Sequence, residues 1–182
     1  MKLLKRVLIA LIIILATALI AALFIPKDYT VEREITIKQP KNVVFDYLKH
    51  LRNQETYSVW YKMDKNMIKT YEGVDANVGF ISAWKSKNEE VGEGSQEITK
   101  IVDGERIEFK LLFKSPMESE NQIYITTTSV SEISTKVKWG FKGSFPYPMN
   151  LFKFFIDIDG AVGKDFEGGL KNLKKELDGE EN

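Results

Sequence analysis

Eight apolar residues near the carboxy terminus, Leu151, Phe155, Ile158, Val162, Phe166, Leu170, Leu173 and Leu177, follow one another at steps of three or four. That spacing places all eight on one face of a helix over Asn150 to Leu177. A helix of roughly 28 residues is about 42 Å long, and a stripe of that length needs an equally long partner. Gly160, Gly163, Gly168 and Gly169 fall inside the stretch, and each costs about 1 kcal/mol against alanine in a helix interior. Such losses are tolerated where the helix lies close against other backbone. They also fit a helix that bends or breaks near Asp159-Gly160. Either form would roof whatever the preceding chain builds.

The preceding chain, Tyr29 to Phe145, reads mainly as strands. In Tyr29 to Ile37, Val31, Ile35 and Ile37 alternate with Thr30, Glu32, Glu34 and Thr36, the period of a half-buried strand. Arg33 falls on its apolar face, as an edge residue or as a charge lining a cavity. Pro40 suits a first helical turn, and Val43, Val44, Tyr47, Leu48 and Leu51 form a helical stripe. A second short helix or turn covers Asn53 to Tyr57. Strand patterns then recur over Met67–Gly73, Gly79–Ser86, Ser95–Val102, Arg106–Lys114, Gln122–Ser131 and Thr135–Ser144. Between them lie an Asp75–Gly79 turn, a charged Asn88–Gly94 loop and Asp103-Gly104, a two-residue hairpin signal. A Ser115–Asn121 loop containing Pro116 and a Glu132–Ser134 turn complete the connections. Short connections between successive strands predict an antiparallel meander.

At the other end, Val7 to Ile25 carries no charge. As a helix it is about 28 Å long, the thickness of a bilayer's hydrocarbon core. Lys2, Lys5 and Arg6 precede it and favour a cytoplasmic amino terminus, while Pro26 ends it. The expected organisation is a cytoplasmic tip and transmembrane anchor over residues 1–26, an α+β domain over 27–178 on the exported side of the cell membrane, and an acidic tail over 179–182. A cleaved signal peptide is the competing reading, since Ala16-Thr17-Ala18 resembles a cleavage site; against it, the apolar run continues past that point. A buried core helix would need apolar partners on every side.

The net charge is zero, and outside the first 26 residues the chain carries three more acidic than basic residues. That balance lacks the basic stripe of a nucleic-acid surface. With no cysteine in the chain, thiolate chemistry and disulfides are excluded.

Certain residues, taken in this order, resemble the START-like superfamily, also called the Bet v 1-like or polyketide-cyclase/SRPBCC group. They are the opening Ile35-Thr-Ile-Lys-Gln-Pro40, then Val43-Val-Phe45-Asp-Tyr47-Leu48, the aromatic corner Tyr57-Ser-Val-Trp60, and the closing Phe166-Glu-Gly-Gly-Leu170-Lys-Asn-Leu173. The resemblance covers about residues 29 to 177. It implies a helix-grip fold, a seven-stranded curved antiparallel sheet around the carboxy-terminal helix with an apolar cavity between them. It also implies binding of lipids, sterols, polyketides or hormones, with a minority of members catalysing cyclisation, dehydration or hydrolysis. The group has no universal catalytic motif, so no catalytic residue is carried over. A membrane span departs from its commoner soluble members.

Motifs for chemistry are fragmentary. His50 is the only histidine, and a zinc site built on it would be unusual. No Gly-x-Ser-x-Gly elbow exists. Gly92-Glu-Gly94, Gly160-Ala-Val-Gly163-Lys164 and Asp157-Ile-Asp159-Gly160 each fall short of a dinucleotide loop, a P-loop and a calcium loop respectively. Neither a metal nor another cofactor is expected. What survives is aromatic: Trp60, Phe80, Trp84, Phe109, Phe113, Trp139, Phe141, Phe152, Phe155 and Phe166, either filling a core or partly lining a space. Arg33, Ser82, Glu97 and Tyr124 are the candidate polar groups of such a space, and Tyr57, Trp60 and Tyr61 a candidate lid. The expected function is membrane-tethered binding of an apolar small molecule or lipid. The alternatives are a partner-binding or structural domain and a cyclase- or hydrolase-type enzyme.

Overall fold

The computed structural model describes residues 2–115 and 117–179. Pro116 of the expected loop, Met1 of the tip and residues 180–182 of the acidic tail lie outside the described residues. The chain forms two compact units, Met1–Tyr29 with Ser144–Asp157, and Thr30–Gly143 with Ile158–Asn182.

The larger unit is built on a curved seven-stranded sheet. Its strands are β1 (Asp28–Ile37), β2 (Ile68–Glu72), β3 (Ile81–Lys85), β4 (Glu93–Val102), β5 (Arg106–Ser115), β6 (Ser119–Ser131) and β7 (Ser134–Ser144). Their order across the sheet is β1-β7-β6-β5-β4-β3-β2, and the ladders from β2 to β7 are antiparallel. Register aligns Ile98 with Phe109, Phe109 with Ile123, and Ile123 with Phe141. One buried apolar row therefore crosses four strands on the inner face. The Asp103-Gly104 turn lies where expected, but Val102 pairs with Arg106, so the loop has a third residue, Glu105. Gly104 alone there takes a positive φ, 68°, whereas the two-residue turn favoured by Asp-Gly needs it twice. The expected Ser115–Asn121 loop is shorter, because β6 already begins at Ser119.

Helix α2 (Lys41–Lys49) follows β1, and a 3-10 turn (Leu51–Asn53) leads into the short helices α3 (Gln54–Tyr57) and α4 (Val59–Met63). The carboxy-terminal stripe is interrupted. A 3-10 helix covers Met149–Phe154, and the long helix, α5, runs only over Ile158–Asp178. Asp159 in its first turn suits the positive end of the helix dipole. Its carboxylate and carbonyl also accept three hydrogen bonds from the Arg33 guanidinium at 3.0–3.1 Å. Phe166, Leu170 and Leu173 of the stripe are buried. Two glycines explain how closely α5 lies on the sheet: a Cβ on Gly163 would fall 2.1 Å from an Arg33 nitrogen, and one on Gly169 would fall 2.8 Å from the Trp139 ring.

In the smaller unit, α1 (Lys2–Ala22) has exposed apolar residues on every face. It ends at Ala22, short of Ile25, where i to i+3 bonds from Leu23, Phe24 and Ile25 tighten the last turn. Asn150 then takes two of its end carbonyls. Its amide donates to Ala22 O at 2.7 Å and to Ile25 O at 2.9 Å. Lys153 Nζ donates to the carbonyls of Pro26 and Asp28 at 3.0 and 2.8 Å, and the Tyr29 and Phe145 rings stack at 5.4 Å.

Candidate functional site

Between the inner sheet face and α5 lies a cavity of about 250 Å³. Alternation along the strands decides what faces it. Trp84 of β3 and Gln96 of β4, Leu111 and Phe113 of β5, Ile123 of β6, and Trp139 and Phe141 of β7 all point inward. On α5, Val162 and Phe166 are one turn apart and share its inner face with Asp165 and Ala161. Gln54, Ser58, Trp60 and Tyr61 close it from α3 and α4, while Glu90 and Val91 come from the loop before β4. Ala161 and Glu90 are exposed and form its rim.

The wall is an aromatic assembly. Trp139 stacks on Phe166 with centroids 4.6 Å apart and takes the edges of Tyr57 at 5.7 Å and Trp60 at 6.3 Å. Trp84 meets Phe113 edge to face at 5.8 Å. Polar groups are few. Tyr61 Oη and Ser82 Oγ share a hydrogen bond of 3.1 Å, and burial pushes the Tyr61 hydroxyl pKa up. Trp84 Nε1 donates to Val91 O at 3.1 Å. Trp139 Nε1 and Gln96 Nε2 are buried without an acceptor among the described residues. At the rim, burial raises the Asp165 pKa, with Glu90 adding like-charge repulsion. Among the described residues no three His, Asp or Glu side chains cluster as a metal site would require. A second hollow, of about 510 Å³ around Asn42, Val43, Asp46, Tyr47, His50 and Leu177, lies open on the surface.

Of the twelve residues proposed from sequence, Trp60, Trp84, Trp139 and Phe166 line the cavity. Tyr57, Phe80 and Phe109 are fully buried but outside its wall: Tyr57 packs behind Trp139, and Phe80 stacks on Tyr71 at 6.1 Å. Ser82 stands one layer back, holding Tyr61. Glu97 and Tyr124 occupy the outer sheet face, because their neighbours Gln96 and Ile123 take the inner one. Glu97 pairs there with Lys110 at 3.2 Å. Tyr124 lies across Gly140, beneath Arg106, and donates to Glu32. Burial and that carboxylate push the Tyr124 hydroxyl up to about 12. Arg33 is on edge strand β1 and is committed to Asp159 and Glu167. Phe155 is 82% exposed and belongs to the smaller unit. Gln54, Ser58, Gln96 and Val162 also line the cavity and were not among the proposed site residues; strand parity with Ile98 would have found Gln96, and Val162 already stood on the helical stripe with Phe166.

The architecture is therefore that of a helix-grip α+β fold with a cavity in its grip, the one implied by the START-like, Bet v 1-like resemblance. No family model and no curated protein sequence matches the chain. Solved structures do. A protein of Nitrosospira multiformis superposes with a TM-score of 0.61 at 15% identity, over 82% of this chain and 96% of that one. Ara h 8.0201 gives 0.60 at 12% identity, over 82% and 97%. The Aha1 dimer protein of Colwellia psychrerythraea gives 0.56 at 16%, over 82% and 96%. At such identities the likeness shows the fold alone.

Proposed function

We propose that the chain is a membrane-tethered binding module whose cavity takes an apolar molecule or the apolar segment of a lipid. The observation that carries this reading is the space of about 250 Å³ walled by all three tryptophans of the chain. A cavity of about 150 Å³ accommodates benzene, so this one accommodates roughly ten non-hydrogen atoms, with the rim letting a longer molecule project. The sparse polar groups fix orientation. Tethering is supported by α1, 21 residues long and apolar on all faces after Arg6, with nearly all of its side chains exposed. A helix of that kind is stable in hydrocarbon, and the basic residues before it favour an amino terminus in the cytoplasm, with the domain on the exported side. An anchored mouth meets membrane ligands at high effective concentration.

The test uses the tryptophans as reporters. Full-length protein in nanodiscs is titrated with a dibrominated fatty acid, and intrinsic fluorescence is recorded. The reading predicts saturable quenching that unbrominated fatty acid reverses. Linear, non-saturating quenching equal to that of free tryptophan in the same nanodiscs would refute it.

A further inference from the structure

We infer that Tyr147–Ile156 is a second membrane-contacting element, an apolar foot whose occupant is the lipid surface beside the end of α1. The inference rests on the tethered reading but on none of the cavity's residues.

Exposure is the first observation. Met149, Phe152, Phe154, Phe155 and Ile156 are all exposed, Phe154 at 72% and Phe155 at 82%. Leu23 and Phe24, just after α1, are exposed at 67% and 82%. So dense a set of large apolar side chains marks a contact surface rather than the scattered exposure of ordinary protein surface.

Depth is the second. The foot is hydrogen-bonded to the last carbonyls of the membrane helix through Asn150, which is itself fully buried. Where α1 leaves the hydrocarbon, those carbonyls have little water to accept from. The amide that supplies their hydrogen bonds lies at the same depth, and so do its neighbours two to six residues along the chain. Orientation is the third. Asn150 and Lys153 direct their polar atoms to the backbone of residues 22–28, which leaves the phenylalanines to face outward. A short segment with phenylalanines on one side and a lysine on the other has the composition of an interfacial element.

The chain contains no cysteine, which permits single-cysteine labelling. Phe154→Cys and Phe155→Cys, with Ile13→Cys in mid-α1 and Thr128→Cys at an exposed position of β6 as references, are labelled with an environment-sensitive fluorophore. The full chain is reconstituted in phosphatidylcholine–phosphatidylglycerol vesicles. Nitroxides placed shallow in the acyl chains should quench positions 154 and 155, and deep nitroxides should quench position 13. Iodide should reach position 128 and reach 154 and 155 about tenfold less, as for side chains in the interface. Equal iodide access at 155 and 128, with 13 still quenched from the lipid, overturns the foot and leaves the tether standing. Loss of lipid quenching at 13 as well overturns both. Protection from iodide without lipid quenching, together with cross-linking between copies through Phe155→Cys, overturns the foot in favour of self-association.

Discussion

Val162→Phe separates a functional cavity from an ordinary core. Val162 is half-buried on α5, one turn before Phe166, and faces the space of about 250 Å³. The substitution places roughly four more carbons in that space, worth about 3 kcal/mol at 0.8 per buried carbon. Ordering the larger ring costs about 0.5–1 kcal/mol, and imperfect fit against Trp139 and Phe141 costs about 1 kcal/mol. The net is a stabilisation of about 1 kcal/mol, or about 2–4 °C in Tm for a chain of this size. Thermal unfolding followed by near-ultraviolet circular dichroism reads the stability, and brominated fatty-acid quenching reads the binding. The variant should be more stable and should no longer bind. In a solid interior the same ring would overpack, so a lower Tm with binding unchanged would refute the reasoning.

Three further outcomes follow from the same geometry. Gln96→Met removes a buried amide donor that has no acceptor at nearly constant volume, and should raise stability by about 1 kcal/mol in chemical denaturation; a loss of that size would mean that Gln96 is satisfied. Gly169→Ala gains about 1 kcal/mol in helix propensity but brings its Cβ to 2.8 Å from a Trp139 ring held by Phe166 and Trp60. An overpacking cost of about 1–3 kcal/mol makes the variant less stable, with a shifted tryptophan emission; a higher Tm would contradict that contact. Asp165→Asn removes a carboxylate whose folded pKa is raised by burial, so the wild type is penalised wherever that group is charged. After solvent screening the variant should be more stable at neutral pH by up to about 0.5 kcal/mol. The advantage should vanish as pH falls through the raised pKa and below the ordinary carboxylate range, and persistence there would refute the cause.

Much of this architecture is written in periodicity. Strand patterns over Arg106–Lys114 and Thr135–Ser144 carry Phe113, and Trp139 with Phe141 at alternate positions, and helical spacing carries Phe166, all on the cavity wall. The candidate polar groups were harder to place because chemical interest competed with parity. Glu97 and Tyr124 carry titratable groups, yet each sits one residue from an inward neighbour, so pleating puts both on the outer face. Arg33 shares parity with Val31 and Ile35, but its carboxylate partners Asp159 and Glu167 lie more than 120 residues away. Local spacing carries no signal for such a pair. The interruption before Ile158 was legible only as one of two readings, a break near Asp159-Gly160, for a different reason. Leu151 and Phe155 continue the three-four spacing of α5 although they lie in a segment whose hydrogen bonds go to the end of α1, and a stripe records only that residues are apolar, not what covers them.

The central claim is that the grip between sheet and α5 holds an apolar ligand. Native mass spectrometry of the full-length protein, purified from its expressing cells in mild detergent and released from the micelle by collisional activation, tests it most directly. The account predicts a discrete mass increment from a bound apolar molecule on the wild type and its disappearance in Val162→Phe. A wild-type spectrum at the bare polypeptide mass, or the same increment on both proteins, would contradict it.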